Sequence, residues 1–236
     1  MSHHQISFGS KNIAYQLKYT QRKTLGIQVN PSGQIMVTAP ADSDPKTIKV
    51  KVRQKAPWIL KQINTFNKYQ AGTTPRRYLN GESHLYLGRQ YRLKVVKDNE
   101  QVIKAYRGQL WVYSPKSDPL SLQKQLASWY VGRAKEIFHQ VLDAVFPKFK
   151  RYLKVQPSLF IRQMSTRWGS CTPSGRIILN PELIKAPKGC IEYVIVHELC
   201  HLVHHNHTKS FYNLLKRMMP MWEKNKLRLN QLLVGL

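Results

Sequence analysis

The motif His197-Glu198-Leu199-Cys200-His201 places two imidazole side chains four residues apart. On a helix, this spacing puts both rings on one face about one turn apart, where a single metal ion can contact both. The apolar residues Ile191, Val194 and Ile195 just before the motif predict the required helix independently. We therefore expect a helix with a metal site near its C-terminal end.

Two histidines and an adjacent glutamate are typical of catalytic zinc. Zn²⁺ binds neutral imidazole nitrogens at about 2.0–2.1 Å, and a catalytic site keeps three protein ligands and one open position. Glu198 directly follows the first ligand, so its carboxylate can accept a proton from a water molecule at the metal. The motif predicts a zinc-dependent hydrolase with His197 and His201 as ligands and Glu198 as the general base.

The third ligand has several candidates. His205 would lie about 12 Å beyond the first ligand on a straight helix with a rise of 1.5 Å per residue, and His204 lies nearly as far. His207 follows Asn206, a residue that tolerates the left-handed conformation that ends helices, so the chain can turn back towards the metal. We predict His207 as the third ligand, with Glu223 from a later helix as the alternative.

The hydropathy pattern predicts an α+β fold without a visible internal repeat. Alternating runs on both sides of residues 30–33 predict a β-hairpin, and further strands are expected at 85–95, 102–106, 110–113, 158–163 and 176–179. Helices are expected at 45–66 with a break or kink at Pro57, and at 120–146, 188–205, 208–218 and 220–233. The expected division is a β-rich N-terminal region with one basic helix at 1–115 and a catalytic region at 116–236.

The composition indicates a basic intracellular protein. Thirty-eight Lys and Arg against twelve Asp and Glu give a formal charge of +26, which favours contact with nucleic acid, nucleotides or another acidic partner. Three cysteines without paired spacing argue against a disulfide framework. The N-terminus lacks the apolar core of a signal peptide, and no run approaches the about 20 apolar residues of a membrane span. We expect a cytoplasmic protein without a membrane span.

The sequence resembles the YgjP-like metallopeptidases, which are related to the SprT-like and WLM zinc proteases. The resemblance covers most of the chain and includes Tyr78–Gly81, His84–Gly88, Arg167–Cys171 and His197–His201 with His207. It implies a zincin-like catalytic region with an active-site helix and C-terminal helices. It also implies zinc at His197, His201 and His207, and Glu198 as the general base.

The resemblance further implies that the segment Arg167-Trp168-Gly169-Ser170 borders the cleft and binds substrate, with an edge strand that could pair with an extended peptide. The alternative is a purely structural role, in which Trp168 and Cys171 only fill the core below the helix. One departure from the family concerns Leu179-Asn180-Pro181-Glu182, where relatives carry an aromatic and a basic residue after the Leu-Asn pair. Because proline cannot donate a ladder hydrogen bond, we expect the strand to end there.

Three functions are compatible with these features. Peptide-bond hydrolysis of a protein or peptide substrate is the leading hypothesis. Hydrolysis of a nucleoside triphosphate at the same metal is the first alternative, since the positive charge suits phosphates although no Gly-rich phosphate loop is present. A nucleic-acid-binding protein with structural zinc is the second, but structural sites usually have four protein ligands.

Overall fold

The computed structural model describes residues 2–22, 24–30, 33–70, 76–164, 167–172 and 174–232. The chain forms two compact units, an N-terminal unit that ends at Thr73 and a C-terminal unit that spans Thr74–Leu232. Both combine sheets with helices, which confirms the predicted α+β class. Among the described residues, no helix has both the length and the apolar character that a membrane crossing requires.

The N-terminal unit is a four-stranded sheet followed by two helices. Its elements are β1 (Ser2–Phe8), β2 (Lys11–Thr20), β3 (Gly26–Val29), β4 (Ile35–Pro40), α1 (Pro45–Gln54) and α2 (Ala56–Gln70). The predicted hairpin is confirmed as the antiparallel pair β3–β4, although Pro31 and Ser32 of its turn lie outside the described residues. The predicted helix at 45–66 is two helices, because Lys55 ends α1 and Pro57 sits in the first turn of α2, where proline is tolerated.

The C-terminal unit begins with a second four-stranded sheet and a long helix. These elements are β5 (Ser83–Tyr86), β6 (Arg89–Lys97), β7 (Val102–Tyr106), β8 (Gln109–Ser114) and α3 (Pro119–Val145). The sequence places a boundary at residues 115 and 116, but strands β5–β8 share one hydrophobic core with α3 and the later helices. The boundary between the compact units therefore lies at Thr73, before this sheet.

The two four-stranded sheets have the same topology. Their strand orders are β1-β2-β4-β3 and β5-β6-β8-β7, each with a parallel central pair and antiparallel outer pairs. A helix follows each sheet, with an aspartate N-cap and a proline in its first turn, at Asp44-Pro45 and Asp118-Pro119. The carboxylates of both aspartates accept a backbone N–H three residues later, from Thr47 and Ser121.

The two copies also share their buried positions, so the expectation of no internal repeat is wrong. The segments Gly33–Pro40 and Gly108–Pro115 align without a gap, and buried Ile35, Val37 and Ala39 correspond to buried Leu110, Val112 and Ser114. Counted from the two aspartate caps, buried Ile48 and Val52 correspond to buried Leu122 and Leu126. The repeat escaped the sequence pattern because the copies conserve which positions are buried more than which residues fill them.

The rest of the C-terminal unit carries a small sheet and three helices. Its elements are β9 (Ser158–Ile161), β10 (Gly169–Cys171), β11 (Arg176–Leu179), a 3₁₀ helix (Pro181–Lys185), α4 (Lys188–Val203), α5 (Lys209–Met218) and α6 (Trp222–Leu232). The sheet order is β10-β11-β9, so β10 is an edge strand. Strand β11 ends at Leu179, directly before Pro181, as the proline predicts.

The turn between β5 and β6 supports the start of α4. Leu87 and Gly88 both have positive φ, as a two-residue hairpin turn of type I′ requires. Their backbone N–H groups donate to the carbonyls of Ile184 and Lys185 at 3.0 and 2.9 Å. A Cβ on Gly88 would lie 2.5 Å from a side-chain carbon of Pro187, the residue before α4. Through these contacts, the end of the His84–Gly88 segment supports the start of the helix that carries the histidine motif.

Candidate metal and catalytic site

Helix α4, which carries the histidine motif, lies in the core of the C-terminal unit. Buried residues occur on all its sides, from Cys190 to Cys200, and it contacts α3, α5, α6 and β10. A helix that is apolar all round is stabilised by burial from every direction. The motif is therefore held on a rigid, fully packed element.

The structure brings His197, His201 and His207 together. One ring nitrogen from each lies within 4.8 Å of the other two. The Nε2 atoms of His197 and His207 are 3.2 Å apart. The ring centroids of His197 and His201 are 4.7 Å apart, and those of His201 and His207 are 4.5 Å apart. Three imidazoles thus converge on one point.

The chain reaches His207 differently from the expectation. Helix α4 ends at Val203, and His204 is extended, with φ −131° and ψ 104°. Asn206 is not among the described residues with positive φ, so the left-handed turn expected there is wrong. An extended residue at the helix end redirects the chain equally well, because it breaks the helix without needing a left-handed position. Helix α5 then starts at Lys209, two residues past His207.

The three histidines are close enough to share one metal ion, and one pair has the spacing expected of two zinc ligands. Two ligand atoms that are each about 2.0–2.1 Å from such an ion lie about 3.3 Å apart, close to the 3.2 Å between His197 and His207. Burial, together with His201 and His207, lowers the pKa of His197 to about 3. At neutral pH this ring is uncharged, the form that binds metal. Among the described residues, neither His204, His205 nor Glu223 belongs to this cluster.

Phe211 of α5 packs against all three imidazoles, and sequence reasoning missed it. Its ring centroid lies 5.0 Å from that of His197, 4.6 Å from that of His201 and 4.7 Å from that of His207. The side chain is fully buried. The available signal was its position on the apolar face of α5, with Leu214, Leu215 and Met218. Phe211 therefore provides one packing surface that all three candidate ligands share.

Glu198 lies under strand β10. Its side chain is 6% exposed, and a Cβ on Gly169 would lie 2.9 Å from its Oε1 atom. Burial raises the pKa of Glu198 to about 7, while a hydrogen bond from the Cys171 thiol and the charge of Arg167 act in the opposite direction. The structure thus places Gly169, Cys171 and Arg167 around this carboxylate, although only the family resemblance indicated the neighbourhood.

The predicted substrate-binding segment, Arg167–Ser170, leads into the edge strand β10. Arg167 is exposed, whereas Trp168, Gly169 and Ser170 are half-buried. Trp168 packs against the main core, as a purely structural role predicts. Its indole N–H, however, is buried without a partner among the described residues. The segment therefore contributes both to the core and to the surroundings of Glu198.

Asn180 holds this segment in place and was also missed. Its side-chain amide donates to the carbonyls of Met164 and Arg167 at 2.7 and 3.2 Å, and its backbone N–H donates to the carbonyl of Trp168 at 2.9 Å. Its carboxamide oxygen accepts from the backbone N–H of Glu182 and caps the 3₁₀ helix. The side chain is 5% exposed. The signal was available in the Asn-Pro pair, a typical cap before a first-turn proline.

Aromatic side chains from α4, α5 and α6 extend the site on one side. Tyr193 stacks with Trp222 at 6.4 Å, and Tyr212 lies 5.6 Å from Trp222 and 6.0 Å from His207. The ammonium of Lys226 lies 5.6 Å from the centroid of the Trp222 ring. The histidine cluster is therefore bordered on this side by a partly exposed aromatic surface that carries the cation of Lys226.

Two comparisons with known proteins place the chain among its relatives. The chain is similar to two solved structures, the metallopeptidase zymogens abylysin of Pyrococcus abyssi and jannalysin of Methanocaldococcus jannaschii. The first is 19% identical, with 41% of this chain and 90% of that chain covered and a TM-score of 0.34. The second is 21% identical, with 42% and 96% covered and a TM-score of 0.34.

A comparison with curated proteins finds no significant match. The sequence model of the YgjP-like metallopeptidase domain matches residues 23–232, which include the whole C-terminal unit, the N-terminal unit from residue 23 onward and every candidate site residue. A metallopeptidase domain is a hydrolase domain, so the match also establishes the class of enzyme. On this match, the chain belongs to the YgjP-like metallopeptidase-domain family.

Proposed function

We propose that this metal-dependent peptidase uses zinc, held by His197, His201 and His207, and that Glu198 is its general base. The observation that carries the proposal is the convergence of three imidazole nitrogens within 4.8 Å, directly beside a buried carboxylate on the same helix. Neutral imidazoles in this number and arrangement are a donor set that suits zinc better than Mg²⁺ or Ca²⁺, which prefer oxygen ligands.

The chain's own residues divide the work of peptide hydrolysis. When bound, zinc would supply Lewis acidity, which favours attack on a carbonyl and makes water easier to deprotonate. Glu198 accepts a proton from the attacking water and then delivers it to the nitrogen of the departing amine. Phe211 keeps the three imidazoles oriented, and Gly169 leaves the space that the Glu198 carboxylate occupies.

The substrate chain is proposed to bind along β10, with the Arg167–Ser170 segment as part of the binding surface. One edge of β10 pairs with β11, and the other is not paired within the described sheet. An extended peptide can add to such an edge through main-chain hydrogen bonds. Because Gly169 touches Glu198, a peptide on this edge passes close to the general base.

A second candidate is hydrolysis of a nucleoside triphosphate at the same site. The observation that favours it is the presence of two cations close to the cluster, Arg167 acting on Glu198 and Lys226 acting on His197. Such charges suit phosphate oxygens. A purely structural zinc is less well supported, because three ligands converge in the described part of the chain and a carboxylate is buried beside them.

Turnover by zinc-loaded wild type and the Glu198→Gln variant distinguishes these functions. The panel consists of an unfolded protein and of nucleoside triphosphates, and zinc content is measured in both proteins. We expect the variant to keep zinc and to cleave peptide at least about 100-fold more slowly, because a general base contributes at least about this factor to the rate. Glu198-dependent release of phosphate or pyrophosphate without peptide cleavage would assign the nucleotide function. Unchanged turnover with zinc retained would refute the general-base role.

We also propose a reducing compartment, the cytoplasm, as the place of action. Cys171, Cys190 and Cys200 are all free, and two of them are buried. Burial raises the pKa of Cys171 to about 11 and of Cys200 to about 12, so both are thiols at neutral pH. Free thiols beside a candidate general base are stable where thiols stay reduced.

A further inference from the structure

The N-terminal unit contains a cleft that the proposed peptidase chemistry does not use. Its volume is about 1340 Å³, and it lies between the β2–β3 and β4–α1 connections and the exposed faces of α1 and α2. The apolar side chains of Leu25, Ile27 and Ile48 belong to the hydrophobic core of this unit and also line the cleft. The cleft thus has an apolar base within a stable fold.

Three cations line this cleft without ion-pair partners among the described residues. They are Arg22, Lys51 and Lys55, and the one carboxylate in the lining, Asp42, lies beyond ion-pair distance of them. The guanidinium of Arg22 lies over Gly26, where a Cβ would come within 2.7 Å of a guanidinium nitrogen. Because Gly26 has no side chain, the guanidinium of Arg22 can lie above it. The net charge of the cleft lining is positive.

An aromatic side chain completes the lining. Trp58, near the start of α2, is 41% exposed although tryptophan is among the most apolar side chains. Its partly exposed ring offers the cleft a flat apolar face on which another planar group can stack. The polar side chains Gln21, Thr24 and Gln54 lie in the same lining. The combination is a positive groove with one flat apolar surface.

Comparison of the two repeats shows that the fold does not require these residues. Counted from the aspartate caps, Lys51 and Lys55 correspond to Gln125 and Trp129 in the second copy. Gln125 donates to the carbonyl of Tyr113 at 2.8 Å, and Trp129 packs against the core. The second copy therefore uses these positions for its own packing, whereas the first presents cations to an open cleft.

We propose that this cleft binds a segment of single-stranded nucleic acid. Arg22, Lys51 and Lys55 would contact successive phosphates, and an unpaired base would stack on Trp58, the combination by which single strands are held without sequence readout. The volume exceeds the range of about 300–1,000 Å³ typical of small-molecule sites, which favours a chain segment over a free nucleotide. In a duplex, the bases are already stacked and cannot cover the indole.

Fluorescence anisotropy of a labelled ten-nucleotide oligothymidylate tests the proposal with the full chain. The Lys51→Gln/Lys55→Gln variant is compared with Lys46→Gln/Lys49→Gln, which removes the same charge from exposed positions of α1 outside the cleft. Affinity falls as salt rises, and we expect the cleft variant to make this fall less steep. The slope of log affinity against log salt should become less negative by about 1.4, or about 0.7 for each lost phosphate contact. Equal losses in both variants would show diffuse attraction and overturn the proposal.

The stacking contact is tested separately. Trp58→Ala should weaken binding about tenfold or more, while Trp58→Phe, which keeps an aromatic face, should restore most of it. Equal binding of a duplex of the same length, or full competition by a nucleoside triphosphate at equal phosphate concentration, would overturn the assignment to single strands. Because Glu198 is not among the residues that line the cleft, Glu198→Gln should bind the oligonucleotide as wild type does, whatever becomes of the proposed hydrolysis.

Discussion

A Cβ on Gly169 would lie 2.9 Å from the Oε1 atom of Glu198 and 3.1 Å from its Cγ atom. Strand β10 thus passes directly over the candidate general base, and only a glycine leaves room for the carboxylate at this crossing. This contact, together with those of Cys171 and Arg167 with the same carboxylate, joins the two specific parts of the sequence, residues 167–171 and 197–201.

Replacing Gly169 by alanine should therefore impair turnover without loss of zinc. The added methyl group would lie 2.9 Å from both the Glu198 carboxylate and the Cγ1 atom of Val194, so one of these side chains or β10 must move. A shift of about 1 Å in a catalytic group can cost on the order of 100-fold in rate. We expect peptide cleavage to fall at least tenfold while zinc affinity stays within about threefold. Gly132→Ala is the matched control, because nothing lies within 4 Å of a Cβ there. Wild-type turnover by Gly169→Ala would contradict the contact.

The role of Phe211 can be separated from its contribution to stability. Phe211→Leu removes the flat ring that contacts all three imidazoles, and we expect zinc affinity to fall about 10–100-fold, as for other residues that orient ligands. Phe138→Leu is the control, since Phe138 is equally buried in the same core on α3. Competition with a chromogenic chelator measures zinc affinity, and thermal unfolding measures stability. Equal zinc affinities in the two variants would argue against the orienting role.

The identity of the third ligand is tested by removing each candidate. The zinc affinity of His207→Ala should be at least about 100-fold lower than that of wild type, because only two protein ligands remain for a tetrahedral ion. Glu223→Ala should bind zinc as wild type does, since this residue lies outside the histidine cluster. Zinc retention by the first variant together with loss by the second would reverse the assignment.

The hairpin turn at Leu87-Gly88 should support the site from a distance. Gly88→Ala adds the strain of a positive φ and a contact of 2.5 Å with Pro187, whereas Gly108→Ala adds the same strain at φ 75° with nothing within 4 Å. We expect Gly108→Ala to reduce the free energy of unfolding by about 1 kcal/mol and Gly88→Ala by about 3 kcal/mol or more. Denaturant titration measures both. Equal losses would show that the turn does not brace the start of α4.

A buried histidine should give the metal-free protein a specific pH dependence. Burial, with Arg76 as a smaller cause, lowers the pKa of His84 to about 4, and the side chain is 3% exposed. The unfolded chain binds this proton near pH 6.5, so folding stability is lost as the pH falls from about 6.5 to about 4.

His84→Ile should remove this loss, because the equivalent position in the first repeat is buried Ile6. As the pH falls from 7 to 4, wild type should lose up to about 3 kcal/mol more of its free energy of unfolding than the variant does. Both proteins carry the same candidate metal ligands, whose titration cancels in the difference. A difference that does not change with pH would show that His84 does not titrate as its burial requires.

Local patterns were sufficient to predict most elements. The apolar periodicity from Pro119 to Val145 and around Ile191–Ile195 predicted α3 and α4, because helix periodicity reports burial directly. Pro57 and Pro181 predicted where a helix and a strand end, since proline lacks a backbone donor. Spacing along α4 also predicted that His197 and His201 share one face.

The repeat and the supporting residues could not be predicted in this way. Strand order depends on pairing between segments far apart in sequence, and a hydropathy pattern contains no record of which strands are neighbours. For the same reason, local patterns could mark Phe211 as buried and Asn180 as a cap, but they could not indicate the partners of these residues, which are the imidazoles for Phe211, Met164 for Asn180 and Pro187 for Gly88. Each joins elements that only tertiary packing brings together.

The sequence by itself determined the chemistry of the site: two imidazoles and a carboxylate at fixed helical spacing, with a family resemblance that extends over most of the chain. The tertiary structure decided that His207 joins them, that β10 lies over Glu198, and that Lys51 and Lys55 face an open cleft with Trp58. The physical reason is that spacing along one helix follows from backbone hydrogen bonds, whereas contacts between elements follow from how their buried faces pack.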